Sequence, residues 1–167
     1  LRARSGNLFR RNIYARGILR RLVTNEINTG LELEATPVGE LIGKTDDDLA
    51  LWDEDVERRF SAWASTEELV DAKKERTFAQ LQALVRLEAL ICGDVLVILD
   101  VHPVTGTPVI RLALAEHICT PLDYQPPKGR KVTYGVEVDG SGRHVGYWVR
   151  DPEELGKSVF VPATGKS

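Results

Sequence analysis

Residues 93–101, Gly-Asp-Val-Leu-Val-Ile-Leu-Asp-Val, decide how the chain divides between helices and strands. Glycine and aspartate followed by a run of aliphatic residues are typical of a helix end that leads into a strand. We therefore predict mainly helical structure over residues 1–92 and mainly β structure over residues 93–167. This is an α+β fold in a single domain, with N-terminal amphipathic helices followed by antiparallel β-hairpins.

Upstream of this switch, apolar residues recur at helical spacing. We predict one helix over residues 7–28, in which a neighbour packs closely against Gly17. A second helix begins at Thr45, a good N-cap residue, and a third follows Arg76. The second helix carries an apolar stripe that should be buried, namely Leu49, Trp52, Val56, Phe60 and Trp63.

The segments between and after these helices have different patterns. Residues 31–35 alternate leucine with glutamate, which predicts a half-buried strand, and residues 39–44 are predicted to form a loop. Downstream, residues 95–101 and 108–115 predict one hairpin. Residues 132–138 and 144–149 predict a second hairpin, with its turn at Asp139-Gly140-Ser141-Gly142.

The charge of the chain changes sign along its length. The whole sequence has 22 basic and 25 acidic residues, but all seven charged residues among the first 25 are arginines. Four of them lie largely off the apolar stripe and form a candidate polyanion-binding or subunit-interface face: Arg10, Arg16, Arg20 and Arg21. The alternative is a solvated helix side whose arginines pair with acids elsewhere in the fold.

No residue pattern indicates catalysis, a metal site or a cofactor. The histidines are far apart and lack the cysteine or carboxylate spacing of a zinc site: His102, His117 and His144. Gly165-Lys166-Ser167 is similar to the end of a phosphate-binding loop, but Phe160 stands where that loop requires glycine. No apolar run approaches the roughly 18 residues of a membrane span. We therefore expect a protein that is not an enzyme.

Several short motifs follow one another in a recognisable order. They are Arg11-Asn12 with Ala15 and Gly17, Asn25 and Thr29-Gly30-Leu31, Phe60-x-x-Trp63, Asp71, Thr77-Phe78 with Gln80, Gly93-Asp94, and Gly135-Val136-Glu137-x-Asp139-x-x-Gly142-Arg143-x-x-x-Tyr147. This series resembles the phage portal proteins of the lambda type in order and spacing. The resemblance covers nearly the whole chain.

The resemblance implies a fragment of a longer portal protein, and specifically its wing-like portion. Portal subunits form a ring, usually dodecameric, at one capsid vertex, and DNA passes through its axis during packaging and ejection. The implied partners are other copies, the terminase, capsid and head-completion proteins and double-stranded DNA, with no membrane and no cofactor. The implied location is the virion, and the host cytoplasm during assembly.

The residues alone leave other functions open. An arginine-rich DNA-binding or regulatory module would use the basic helix to neutralise phosphates, and its affinity would fall steeply with salt. A hydrolase or nuclease would need a metal site that the sequence does not indicate.

Overall fold

The computed structural model describes residues 2–37, 39, 43, 45–151 and 157–163. Helices precede strands, so the predicted α+β fold is confirmed. The helices of this part of the chain are α1 (Arg2–Arg11), α2 (Ile13–Ile27), α3 (Asp46–Ser65), α4 (Glu67–Val70) and α5 (Phe78–Cys92). The strands are β1 (Val95–Val101), β2 (Pro108–Leu114), β3 (Lys131–Thr133), β4 (Val136–Val138), β5 (His144–Arg150) and β6 (Ser158–Pro162).

The chain divides into two compact units. Unit 1 consists of Leu1–Gly93 and Val97–Leu112, and unit 2 consists of Asp94–Leu96 and Ala113–Ser167. The boundary between the units falls inside β1 and β2 rather than in a linker. That the chain forms a single domain stays a prediction. Thermal unfolding tests it, because a single domain unfolds in one cooperative transition.

Unit 1 has an apolar core to which α3, α4, α5 and β2 contribute. Its fully or nearly buried members are Val70, Leu81 and Ile110, and the rings of Phe60, Trp63 and Phe78 pack together beside them. The predicted burial of the stripe on α3 is therefore confirmed for Leu49, and confirmed in part for Val56, Phe60 and Trp63, which are half-buried. The prediction that Trp52 is buried is wrong, since 52% of its surface is exposed. Trp52 lies at the margin of the stripe that the other four residues form.

The single helix predicted over residues 7–28 is wrong, because the chain breaks at Asn12. Asn12 has extended backbone angles (φ −108°, ψ 113°), and its Oδ1 accepts a hydrogen bond from Ala15 N at 3.0 Å. Asparagine is a favoured N-cap because its short side chain satisfies an amide of the first turn. Apolar residues continue at helical spacing across this break, so periodicity alone does not reveal it.

Gly17, in the middle of α2, is an isolated glycine with open space around it. An added Cβ would meet no atom within 4 Å, so the predicted close packing is wrong. Glycine costs about 1 kcal/mol relative to alanine inside a helix. We expect Gly17→Ala to raise the free energy of unfolding by about that amount in urea denaturation. A loss of stability would show that a neighbour does occupy this space.

Gly30 supplies the matched control for that substitution. Its φ is 93°, and an added Cβ would lie 2.8 Å from Ala79 Cβ on α5. Alanine is strained at such a φ, and the packing would have to open. Gly30→Ala should therefore destabilise the protein while Gly17→Ala stabilises it.

The segment after Gly30 is not the predicted strand. Residues 31–37 have no strand partner among the described residues. Instead, Leu31 N donates to Gln82 Oε1 at 2.9 Å, and Ala35 N donates to Glu57 Oε1 at 2.8 Å. The prediction failed because an alternating pattern does not supply a neighbouring strand, and side chains of α5 and α3 bind the backbone instead. Most of the loop predicted over residues 39–44 lies outside the described residues.

The sheet of unit 2 is an antiparallel meander in the order β3-β4-β5-β6. The strand predicted over residues 132–138 is wrong, because it turns back on itself at Tyr134 (φ 51°) and Gly135 (φ 82°). Two successive residues with positive φ form the tight reversal typical of a two-residue hairpin. The hairpin turn at Asp139–Gly142 is confirmed, with Gly142 N donating to Asp139 O at 3.0 Å. The strand β6 was not predicted.

The other hairpin is close to its prediction. β1 spans Val95–Val101, as expected, and β2 ends at Leu114, one residue earlier than expected. The intervening turn is closed by a hydrogen bond from His102 N to Thr107 O at 2.8 Å. Within unit 1, β2 also contacts the segment that follows α4, since Ala72 N donates to Ile110 O at 2.9 Å.

Candidate functional site

The four predicted interface arginines lie on two helices. Arg10 is in the last turn of α1, and Arg16, Arg20 and Arg21 are in α2. Arg16 is half-buried, whereas the other three are exposed. Arg10 Nη2 donates to Asn7 Oδ1 at 3.3 Å. Within the described residues, none of the four forms an ion pair with a carboxylate. That these four arginines act as one face stays a prediction.

The exposed side of α2 carries apolar residues beside its arginines. Tyr14 and Ile18, which are 80% and 62% exposed, follow one another at a helical spacing of four, and Arg21 continues the same row three residues later. Arg20 is also exposed but lies about 100° around the helix axis from Arg21, at the edge of the exposed side. We call these four residues the α2 outer face. The opposite side of α2 packs on α1 and α5 and buries Val23.

A cavity of about 480 Å³ opens in unit 1 beside α5. Its apolar lining includes Phe78, Leu81, Val85, Val97, Ile110 and Leu112. Glu26 and Arg86 pair at this cavity, with Arg86 Nη2 donating to Glu26 Oε1 at 2.9 Å and Arg86 Nε to Glu26 Oε2. The hydrogen bond from Arg86 lowers the pKa of Glu26, and it raises the pKa of Arg86 in turn. This pair links α2 to α5.

Unit 2 buries a carboxylate completely. Glu137 in β4 has no exposed surface. Its Oε2 accepts hydrogen bonds from Tyr124 Oη at 2.9 Å and from Trp148 Nε1 at 3.2 Å. Its Oε1 accepts from Arg130 Nη1 at 3.0 Å. We call these four residues the Glu137 network.

The Glu137 network holds its carboxylate ionised. Burial raises the pKa of Glu137, but hydrogen bonds from Arg130, Tyr124 and Trp148 together outweigh burial and hold the pKa below its ordinary value. Burial, followed by the hydrogen bond to Glu137, raises the pKa of Tyr124. Both carboxylate oxygens are already bonded and neither is open to solvent. The network therefore fixes the loop that carries Tyr124 and Arg130 against the sheet, and it is not suited to proton transfer.

The described residues contain no cluster of three or more His, Cys, Asp or Glu side chains that could hold a metal ion. Within the described residues Cys92 and Cys119 form no disulfide, and both are half-buried. The terminal Gly165-Lys166-Ser167 lies outside the part of the chain that the structure describes. No described helix is both long enough and apolar enough to cross a membrane.

Comparison with protein families gives a match along the full sequence. The sequence model of the phage portal proteins of the lambda family matches residues 1–167. The chain belongs to the lambda family of phage portal proteins. This confirms the resemblance drawn from the ordered motifs. No curated protein sequence matches the chain. The lambda portal family is structural rather than enzymatic.

The motifs that carried the resemblance stabilise the fold of this portal protein. Thr77 and Gln80 form a capping box at the start of α5, in which Gln80 Oε1 accepts from Thr77 N at 3.0 Å. Asp71, which is only 4% exposed, accepts hydrogen bonds from Lys73 N at 3.0 Å and from Glu75 N at 3.2 Å. These residues hold the local backbone of the portal chain in place.

Sequence reasoning did not single out Glu137 as a buried residue. It lies between Val136 and Val138, and an alternating strand with this sequence favours burial of the valines rather than of the acid. The available signal was weak, since an acid between two valines is also common on an exposed strand face. Its three donors come from two other segments of this portal chain, the loop that carries Tyr124 and Arg130 and the strand β5.

Proposed function

We propose that this chain forms the wing-like part of a longer portal subunit, in a ring at one capsid vertex through which DNA is packaged and ejected. The observation that carries the proposal is the family match over residues 1–167. In this proposal the ring is a dodecamer, and the subunit has a structural role and hydrolyses no ATP. It assembles in the host cytoplasm and ends in the virion.

The proposed partners are further copies, the terminase, capsid and head-completion proteins, and the double-stranded DNA inside the channel. The α2 outer face supports a protein partner for this part of the subunit. Tyrosine and arginine are enriched in protein interfaces, whereas surfaces that contact phosphates rely on charge and polar groups. Tyr14 and Ile18 are among the most exposed apolar residues of α2.

Electron microscopy of the whole subunit tests the proposal. We expect closed rings with a central channel. An interface that joins different surfaces of neighbouring subunits closes into a ring when the rotation between neighbours is a whole fraction of a full turn. Sedimentation velocity on the same sample should show one large species. A subunit that stays monomeric at all concentrations would contradict the proposal.

The affinity of the same protein for duplex DNA distinguishes a portal subunit from an arginine-rich DNA-binding module. Affinity should be at the non-specific level of about 10⁻⁴–10⁻⁶ M at physiological salt. Replacement of Arg16, Arg20 and Arg21 by glutamine should weaken the ring more than it weakens DNA binding. Nanomolar, sequence-dependent DNA binding that these substitutions abolish would favour the DNA-binding module.

A further inference from the structure

We propose that the α2 outer face of one subunit docks on residues 31–34 of the next subunit, Leu31-Glu32-Leu33-Glu34. The inference rests on the proposed ring, and it names the two surfaces that meet within it. Both surfaces belong to unit 1, so each copy carries the two halves of the contact.

The first surface is basic and apolar. Tyr14, Ile18 and Arg21 form one row on the exposed side of α2, and Arg20 lies at the edge of the same side. The acids of the chain's own fold do not neutralise either arginine within the described residues. Exposed apolar side chains beside unpaired charges mark a surface that fits an acidic, apolar partner.

The second surface is acidic and apolar. Leu31 and Leu33 are 72% and 39% exposed, and Glu32 and Glu34 are exposed without an ion pair in the described part of the chain. We call these four residues the acidic segment. The backbone N–H groups of Glu32, Leu33 and Glu34 also lack a hydrogen-bond acceptor among the described residues.

The acidic segment is held in place although it belongs to no sheet. At its start Leu31 N is bonded to Gln82 Oε1, and just after its end Ala35 N is bonded to Glu57 Oε1. Gly30, directly before it, packs against Ala79 of α5. A segment fixed at both ends loses little conformational entropy when a partner binds.

The two surfaces complement each other in composition. Two arginines face two glutamates, and Tyr14 with Ile18 match Leu31 with Leu33. Exposed ion pairs contribute little affinity in water, so the apolar residues supply most of the affinity and the charges select the partner and its register. Because one subunit contributes its α2 outer face and the next its acidic segment, the contact is head to tail, the kind that closes into a ring.

Charge reversal in the whole portal subunit tests this contact. Arg20→Glu with Arg21→Glu should reduce ring formation at least tenfold at fixed protein concentration, because glutamates would then face glutamates. Glu32→Arg with Glu34→Arg should have the same effect. An equimolar mixture of the two double variants should recover rings, since every mixed contact again joins opposite charges. Mass photometry counts the rings in each sample.

Arg58→Glu with Arg59→Glu is the matched control. These adjacent arginines of α3 are 71% and 76% exposed and both pair with Asp55, so reversing them changes the net charge equally at a different surface. Lys128→Glu with Lys131→Glu, at two exposed lysines without an ion pair in the described part of the chain, makes the same charge change without breaking a pair. Ring yield should be unchanged. If a charge-reversed variant fails to fold, the double variant Arg20→Gln with Arg21→Gln replaces it in the test. This neutral variant should reduce ring yield less than charge reversal does.

Three outcomes would overturn the inference. Rings of normal yield from both reversed variants would overturn it while the proposed function stands. Loss of rings in each variant without recovery in the mixture would assign these surfaces to a different partner. A wild-type subunit that never forms rings would overturn both the contact and the proposed function.

Discussion

Replacing Trp63 with alanine should lower the free energy of unfolding by about 3–5 kcal/mol, the usual cost of removing a large aromatic side chain from a core. Trp63 joins two aromatic neighbours, with ring centroids 5.6 Å from Phe60 and 5.4 Å from Phe78. Its Nε1 also donates to Pro108 O at 2.8 Å, which fixes α3 to the start of β2. Urea denaturation followed by circular dichroism measures the loss.

Trp52→Ala on the same helix is the control for this effect. Trp52 is 52% exposed, and truncation of a half-exposed side chain usually costs about 1 kcal/mol or less. Trp63→Phe keeps an aromatic ring but removes the hydrogen bond to Pro108. Loss of that bond should lower the free energy of unfolding by about 1 kcal/mol, and the smaller ring should lower it further through lost packing. Equal losses from Trp52→Ala and Trp63→Ala would contradict the assignment of the unit 1 core.

Replacing Glu137 with alanine should be the most damaging substitution in unit 2, at about 3 kcal/mol or more, because it breaks a buried, hydrogen-bonded ionic network. Tyr124 Oη and Trp148 Nε1 would lose their acceptor. Arg130 can turn towards water, since 41% of its side chain is already exposed, and this limits the total. Glu137→Gln retains the shape and one acceptor oxygen, so it should cost less than Glu137→Ala.

The Glu137 network also predicts a pH dependence. The pKa of Glu137 in the folded protein lies below its ordinary value of 4.5. A lowered folded pKa gives stability that is fully present above the unfolded pKa and is lost as the pH falls through the folded pKa. Stability should therefore fall below about pH 4.5, and Glu137→Gln should remove this part of the fall. An unchanged acid profile in Glu137→Gln would contradict the network's role.

Sequence alone predicts the elements of this fold whose signals are local. Thr45 is the predicted cap of α3 and accepts a hydrogen bond from the first turn of that helix, and α5 begins shortly after Arg76, as predicted. By contrast, the break at Asn12 preserves apolar spacing on both sides, and the alternation over residues 31–35 has no strand to pair with. The turn that begins at Tyr134 could not be predicted from the sequence, because a non-glycine residue rarely adopts a positive φ.

The candidate interaction surfaces were only partly predictable for a related reason. Composition identifies Arg20 and Arg21, but their exposure and lack of acidic neighbours depend on how α2 packs. The Glu137 network depends still more on tertiary structure. Its donors are 13, 7 and 11 residues from Glu137 along the chain, so only the observed strand register brings them together.

The contact between Trp63 and Pro108 has a consequence during synthesis on the ribosome. These residues are 45 positions apart, and β2 supplies Ile110 to the core of unit 1. Nascent chains generally fold from the N-terminus as complete units emerge. Here α3 and α5 leave the ribosomal tunnel before the strand that covers them, so their aromatic rings lack the cover of β2 until residue 112 has emerged. We therefore expect nascent unit 1 to be open to chaperone binding for that interval and to complete its core only when β2 arrives.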